Sequence, residues 1–399
     1  DVLEYQARLA GSYMNLGLLQ GETGKGDEAL VSSQKAIDIR EKLVAGNPDV
    51  LEYQAGLAVS YSNLGTLLQE DLRTRDEAVP FFQKAIAIRK SLVSENPASL
   101  KYQSGLAASY SNLGWVQFTT EKHDEALVLL QKAIAIQEEL AKENPEVLEY
   151  QDRLASSYNF RGNVQSKTGS QDESLVSHQK AIGILEKLVA RTPDDLRIQF
   201  VLAQVYNNLG NVQQSRSGSE DESLVSYEKA IGIKEKLAAR NPDDLRYQAS
   251  LAIGYNNLAA LQKDNGKRDE ALVSYQKAID ILEKPVAKNP ETLTYQIFLA
   301  VFLTGFGNLQ RDAGNSDEAV AAFERAVGIR AVVPEPNRTP AFWSSFGKSL
   351  YRLGRWQESR EALESGIRLR EETQPTVADG TRWWSLTMAL AQLGEKDKA

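Results

Sequence analysis

Residues 49–97 read DVLEYQAGLAVSYSNLGTLLQEDLRTRDEAVPFFQKAIAIRKSLVSENP, and variants of this stretch recur along most of the chain. In its first half apolar side chains return every three or four residues, as at Leu57, Tyr61 and Leu64, which is the period of an amphipathic helix. A second run of this kind occupies residues 82–92 after a short polar segment. The stretch therefore predicts two helices of about 20 residues, each roughly 30 Å long, joined by a turn.

Turn prolines measure the length of the repeat, because they return at intervals of 48 or 49 residues. They are Pro48, Pro97, Pro145, Pro193, Pro242 and Pro290. A glycine, or once an alanine, always follows the proline by 17 residues, whereas the small residue that begins the second helix follows the glycine by 12 or 13. The extra residue thus falls in the turn between helices. This regularity predicts a solenoid of stacked helix pairs.

Polar residues recur at the expected helix ends. Asn47-Pro48 is expected to supply a helix cap and a first-turn proline, and Asp76-Glu77 to cap the second helix and place a carboxylate near the positive end of its dipole. The glutamine that follows tyrosine, Gln54 in this unit, is expected to hydrogen-bond a neighbouring helix. All three features are thus interpreted as structural.

The composition excludes several classes of function. Of the 399 residues 42% are hydrophobic and 25% are charged, as in an ordinary soluble protein, and the net charge is -8. Such a charge does not favour nucleic acid or an anionic membrane as a partner, and no apolar run approaches the roughly 18 residues of a spanning helix. The chain has no cysteine, which is compatible with a reducing compartment, so a cytoplasmic location is expected.

A search for catalytic motifs finds no Gly-x-Ser-x-Gly elbow, no P-loop and no His-Glu-x-x-His. Of the two histidines, His178 stands where later repeats have Tyr227 and Tyr275, which predicts a core position. His123 precedes Asp124 in a turn, which favours a surface position. We therefore expect no enzyme activity, no catalytic residue, no metal site and no cofactor.

The pattern Tyr61-x2-Leu64-Gly65 followed by Ala78-x3-Phe82 resembles the tetratricopeptide repeat, and the resemblance covers almost the whole chain. Each unit is about 14 residues longer than the usual unit of about 34, which we attribute to two extra turns on each helix. Such long repeats look like those of kinesin light chains and of arrays that follow bacterial serine/threonine kinase domains. The resemblance implies an all-α fold, a right-handed superhelical solenoid of antiparallel helix pairs.

The domain organisation follows from the repeat lengths. Residues 1–336 are predicted to form seven long repeats, and residues 337–399 one repeat of ordinary length plus an unpaired helix that contains Trp383. The sequence begins and ends inside the repeat pattern, so we expect a piece of a longer protein. Because the unpaired helix lacks a partner, self-association through it is also predicted.

By resemblance, the first helix of each pair lines a concave groove, where asparagines near the Leu-Gly pair hold the backbone of a bound peptide. An amide side chain suits this role because it both donates and accepts hydrogen bonds. The candidate contacts are Asn159, Asn163, Asn207, Asn208, Asn211, Asn256 and Asn257, with Trp115 and Phe118 as candidate apolar contacts. The asparagines are equally open to a second interpretation, in which they bond between helices or recur only because the repeat was duplicated.

Chaperone-binding members of the family grip a terminal carboxylate with groove lysines and arginines, which are absent here. The counterpart positions hold Met14, Ser62, Ser111 and Thr304, so such a clamp is not expected. The predicted function is a scaffold that binds peptide segments or partner domains of other proteins in the groove. The alternative is the regulatory or sensor arm of a larger signalling enzyme, such as a serine/threonine kinase.

Overall fold

The computed structural model describes residues 2–70, 74–288, 292–334 and 338–373, and within these ranges the regular structure is entirely helical, as predicted. Two compact units divide the chain, Asp1–Ile198 and Gln199–Ala399. The first unit contains α1 (Val2–Glu22), α2 (Gly26–Gly46), α3 (Leu51–Glu70), α4 (Ala78–Glu95), α5 (Leu100–Thr119), α6 (His123–Glu143), α7 (Leu148–Lys167) and α8 (Gln171–Arg191). The second contains α9 (Leu196–Gln214), α10 (Glu220–Arg240), α11 (Leu245–Asp264), α12 (Arg268–Lys288), α13 (Leu293–Asp312), α14 (Ser316–Ala331), α15 (Pro340–Arg352) and α16 (Trp356–Thr373).

Odd-numbered and even-numbered helices alternate as the first and second helices of successive pairs, joined by short turns. Helices α1 to α14 have 16 to 21 residues, α15 has 13 and α16 has 18. The predicted domain boundary between residues 336 and 337, and the unpaired helix with Trp383, lie outside the described residues.

Glycine closes most turns within a pair because the chain enters the left-handed region there. Gly24 has φ of +76°, and the N–H of the next residue donates to the carbonyl of Gln20, which satisfies a carbonyl at the end of α1. In the third repeat Glu121 takes this conformation, with φ of 64°. The turn geometry is therefore kept even where the residue type changes.

The turns between pairs correct two expectations. Asn47 does not cap the next helix; it closes α2, where its Nδ2 donates to the carbonyl of Leu43 at 3.0 Å. Gln54 does not reach a neighbouring helix through its amide, because Nε2 donates to the carbonyl of Pro48 at 2.6 Å. The physical reason is that a turn this tight leaves its own carbonyls uncovered, so the nearest amide donors bind them.

The Asp-Glu pairs also differ from the expectation that they cap the second helices. At α2 the cap position is Lys25, and no side chain accepts a hydrogen bond there. Asp27 and Glu28 lie inside the first turn instead, where their negative charge still favours the helix dipole.

In several pairs, the Leu-Gly glycine of the first helix lies against an aromatic ring from the second. A Cβ added to Gly65 would lie 2.9 Å from the ring of Phe82, and one added to Gly210 would lie 2.8 Å from the ring of Tyr227. No real side chain could occupy this space without moving the ring. Glycine is thus required at this position, because the two helices approach each other closely.

Consecutive pairs stack through the second helix of one repeat and the first helix of the next. Across one such seam Tyr61 donates a hydrogen bond from its hydroxyl to Glu41 on α2, and Lys84 of its own repeat lies over its ring. Consecutive first helices also contact each other directly, as α3 contacts α5 and α11 contacts α13. Among the described residues of each unit, no two consecutive second helices come as close, so the first helices form the inner, concave side of each stack.

Candidate functional site

One position in the second helix of the long repeats points toward the first helices on the concave side. Through the seven repeats it is occupied by Arg40, Arg89, Gln137, Leu185, Lys234, Leu282 and Arg330. We call this position the seam slot, because its side chain enters the seam between its own repeat and the next. Four of the seven occupants are cations, which a close-packed seam would not be expected to contain.

In the first unit, the seam-slot arginines bind neutral groups. Arg89 donates from Nη1 to the hydroxyl of Ser62 at 2.9 Å and to that of Ser109 on the next first helix. Arg40 donates to the carbonyl of Gly56 at 2.8 Å and to the hydroxyl of Ser60. Burial lowers the pKa of Arg89 to about 10, because no anion offsets the loss of solvent around its charge.

In the second unit, Arg330 is fully buried and donates to three hydroxyls. Its partners are Thr304 at 3.0 Å, Ser349 at 3.0 Å and Ser345 at 2.7 Å. Burial lowers its pKa to about 10. These hydroxyls satisfy the guanidinium donors but leave its charge uncompensated.

Lys234, also in the second unit, has fewer partners than these arginines. Only 3% of its surface is exposed, and its Nζ makes one long hydrogen bond, 3.4 Å to Oδ1 of Asn207 on α9. Burial lowers the pKa of the ammonium to about 8. Among the described residues, no carboxylate oxygen lies within 4.0 Å of the nitrogen of Lys234 or of any seam-slot arginine.

Three predicted asparagines of the second unit form a chain of hydrogen bonds that ends at Lys234. Asn257 on α11 donates from Nδ2 to Oδ1 of Asn207 at 3.2 Å, and Asn256 donates to Oδ1 of Asn257 at 3.3 Å. Asn207 is buried, whereas Asn256 and Asn257 are half-buried. The structure therefore links three predicted site residues by hydrogen bonds, and one of them, Asn207, binds the buried ammonium of Lys234. Asn207 on α9 thus bonds to side chains on two other helices, α10 and α11.

Two further predicted asparagines of the second unit lie outside this group. Asn211 is exposed, but its Oδ1 accepts a hydrogen bond of 2.6 Å from the hydroxyl of Tyr227. Asn208 is half-buried on α9. In the first unit, Asn159 and Asn163 are half-buried on α7, on either side of Phe160.

The predicted aromatic residues form a cluster in the first unit, on α5 and α7. Trp115 is 44% exposed, and its ring centroid lies 6.0 Å from that of Phe118 and 5.3 Å from that of Phe160. Phe118 meets Phe160 edge-on at 5.6 Å and also contacts His123. We call Trp115, Phe118 and Phe160 the aromatic cluster. It is an exposed apolar surface flanked by the amides of Asn159 and Asn163.

Sequence reasoning missed Phe160 and the seam-slot cations. Phe160 departs from the asparagine found at this position in neighbouring repeats, which is a signal that alignment of the repeats could have found. The seam slot was hidden because basic residues are also common on exposed helix faces. The seam slot differs from such exposed positions because it holds Lys234 in one repeat and Leu282 in the next.

His178 fills the slot in which other repeats place an aromatic ring, and it is fully buried. A Cβ added to Gly162 would lie 2.7 Å from its imidazole, and neither ring nitrogen has a hydrogen-bond partner among the described residues. Burial lowers its pKa to about 4. The prediction of a core position is therefore confirmed.

Two searches of the described residues give negative findings. No helix there combines the length and apolarity that crossing a bilayer needs. In the same ranges, His, Cys, Asp and Glu side chains are nowhere grouped in threes as ligands for a metal ion.

Comparison with known protein families finds three models, all described as tetratricopeptide repeat. They match residues 57–139, residues 9–49 and 251–284, and residues 197–237 and 302–332, which together are more than half of the chain. No curated protein sequence matches the chain.

Comparison with solved structures also finds similar chains. The apo form of RapI is 11% identical, with 97% of this chain and 99% of that chain covered at a TM-score of 0.55. BtubC from P. vanneervenii is 19% identical over 65% of this chain and 94% of that chain, with a TM-score of 0.45. A tetratricopeptide repeat protein from Parabacteroides merdae is 14% identical over 82% and 98% of the two chains, with a TM-score of 0.42. At these identities, the likeness to RapI shows the fold alone.

Proposed function

Because the chain belongs to the tetratricopeptide repeat family, whose fold is a non-catalytic scaffold for protein interactions, we propose that it binds an extended polypeptide along the concave side of its first helices. The aromatic cluster carries this proposal. A tryptophan that remains 44% exposed while it packs on Phe160 offers a preformed apolar surface for a ligand side chain.

The residues beside the aromatic cluster suit the backbone of the same ligand. Asn159 precedes Phe160 on α7, and Asn163 follows it by almost one helical turn, so both residues are close to Phe160 on the same helix. Each amide carries donors and an acceptor, which pair with peptide N–H and C=O groups whatever the ligand sequence. An apolar anchor with amides at its sides favours a peptide over a small polar ligand.

The asparagines of the second unit are less suited to a simple binding test. Asn207 binds Lys234 and Asn257, and Asn211 accepts from Tyr227, so replacing either also disturbs packing. The aromatic cluster allows a cleaner test because the ring of Trp115 is partly free of the core.

The test begins with selection of displayed random dodecapeptides on the intact chain, followed by affinity measurement on one synthetic selected peptide. Trp115→Ala and Phe160→Ala should each weaken binding by about tenfold or more, because a central aromatic anchor contributes about 2 kcal/mol. Fluorescence anisotropy gives the affinity, and circular dichroism the melting temperature.

Tyr5→Ala is the matched control, because Tyr5 is a 67% exposed aromatic residue on a first helix outside the aromatic cluster. It should leave the affinity unchanged. Failure to select any peptide, or equal affinities for Trp115→Ala and the unmodified chain, would contradict the proposed binding surface.

A further inference from the structure

We propose that the segment bound over the second unit is acidic, and that one of its carboxylates binds at Asn207 and Asn257 beside the buried Lys234. This inference rests on the proposed function and names the chemistry of its ligand. It follows from a buried charge that the protein itself does not neutralise.

The first step concerns the donors of Lys234. An ammonium carries three N–H donors, and the Nζ of Lys234 has a single long partner, Oδ1 of Asn207 at 3.4 Å. With 3% of its surface exposed, the residue has little access to water. A buried charge without a counter-ion is strongly unfavourable, so an anion that approaches this position gains an interaction the free protein lacks.

The second step is that the stacking of repeats does not require this cation. One repeat later the seam slot holds Leu282, which packs in an apolar cluster with Phe302 of the next first helix. Opposite Lys234 the corresponding position is Gly254, and a Cβ added there would lie 3.5 Å from Nζ. Gly254 thus leaves space for Lys234, whereas apolar side chains fill the corresponding seam of the next repeat.

The third step concerns a hydrogen-bond donor near the ammonium of Lys234, the Nδ2 of Asn207. Oδ1 of Asn207 is engaged by Lys234 and Asn257, which turns the Nδ2 of Asn207 away from them. Among the described residues this Nδ2 has no acceptor. A carboxylate that accepts from Nδ2 would lie close enough to the ammonium for charge attraction in a poorly solvated site.

The same arrangement recurs within the second unit. Arg330 binds Thr304, which has the same place in its repeat that Asn207 has in the fifth. Two buried cations, Lys234 and Arg330, therefore lie beneath the concave side of this unit, each in a different repeat. An extended segment with spaced acidic residues matches these charges. Nucleic acid matches them poorly, because the net charge of the chain is -8.

The experiment uses the selection described above and examines which residues the selected dodecapeptides share. We expect the selected peptides to share an Asp or Glu residue. A selected peptide should bind about tenfold more tightly than its counterpart with the acidic residue replaced by Gln or Asn. With Lys234→Met this difference should fall to about twofold or less.

Two further variants keep the test interpretable. Lys229→Met removes an exposed charge on the same helix, which lies over the ring of Tyr206, and should preserve the preference for the acidic peptide. If Lys234→Met fails to fold, Lys234→Gln replaces it, because Gln137 occupies the same slot in the third repeat.

The outcomes separate the two proposals. Selected peptides without an acidic preference, an acidic preference that survives the loss of Lys234, or tighter binding of a single-stranded oligonucleotide than of the peptide would each overturn this inference and leave the proposed peptide groove standing. If no peptide is selected at all, both proposals fail.

Discussion

Replacing Phe82 with alanine should lower the free energy of unfolding by about 3–5 kcal/mol. The side chain is 0% exposed, and its ring fills the space above Gly65, where a glycine cannot supply replacement contacts. The cavity would lie between α3 and α4, so the two helices would lose their closest contact. Urea denaturation followed by circular dichroism measures the change.

Phe81→Ala is the control for this experiment, because Phe81 is the adjacent residue and is only partly buried. Its ring lies 6.3 Å from that of Tyr61 at the edge of the same core cluster. We expect a smaller loss of stability from it. A Phe82→Ala variant as stable as Phe81→Ala would show that the Gly-aromatic contact does not hold the pair together.

Lowering the pH from neutral to about 4 should destabilise the chain through His178 by about 3 kcal/mol. The pKa of this histidine is lowered from 6.5 to about 4 by burial, so the folded state keeps the ring neutral while the unfolded state takes up a proton. The contribution is fully present above pH 6.5, decreases as the pH falls below that value, and is lost by about pH 4.

The His178→Phe variant isolates this effect from the titration of carboxylates elsewhere. Phenylalanine does not titrate, and Phe82 and Phe323 already fill the equivalent slot in other repeats. The difference in stability between the two proteins, measured by urea denaturation across the pH range, should change in favour of the variant as the pH falls. A difference that stays constant with pH would mean that His178 is protonated in the folded state as readily as in the unfolded one.

Much of the fold could be predicted because helix periodicity and repeat length are local properties of the chain. The position of His178, for example, followed from its alignment with Tyr227, since equivalent positions in a solenoid have equivalent surroundings. The contact of that ring with Gly162 became evident only in the structure.

The contacts around Lys234 could not be predicted in this way. They join side chains on α9, α10 and α11, and the direction of each depends on which partner lies opposite it. The hydrogen-bond partner of Gln54 could not be predicted either. Its position in the repeat was evident from the sequence, but its partner, the carbonyl of Pro48, was not. Side-chain networks that cross helices depend on rotamers, which periodicity does not determine.

The pairing of residues across the seams also bears on which duplications could add a repeat to this array. Lys234 lies opposite Gly254, and Leu282 packs with Phe302, so the matched residues belong to successive hairpins rather than to one. A duplication that copies a hairpin, such as α11 with α12, would place Leu282 opposite a second copy of Gly254 and leave its apolar face uncovered. A copied segment that begins with a second helix and ends with the following first helix would carry both halves of the seam. A duplicated segment that is offset by one helix from the structural repeat would therefore preserve these seam contacts.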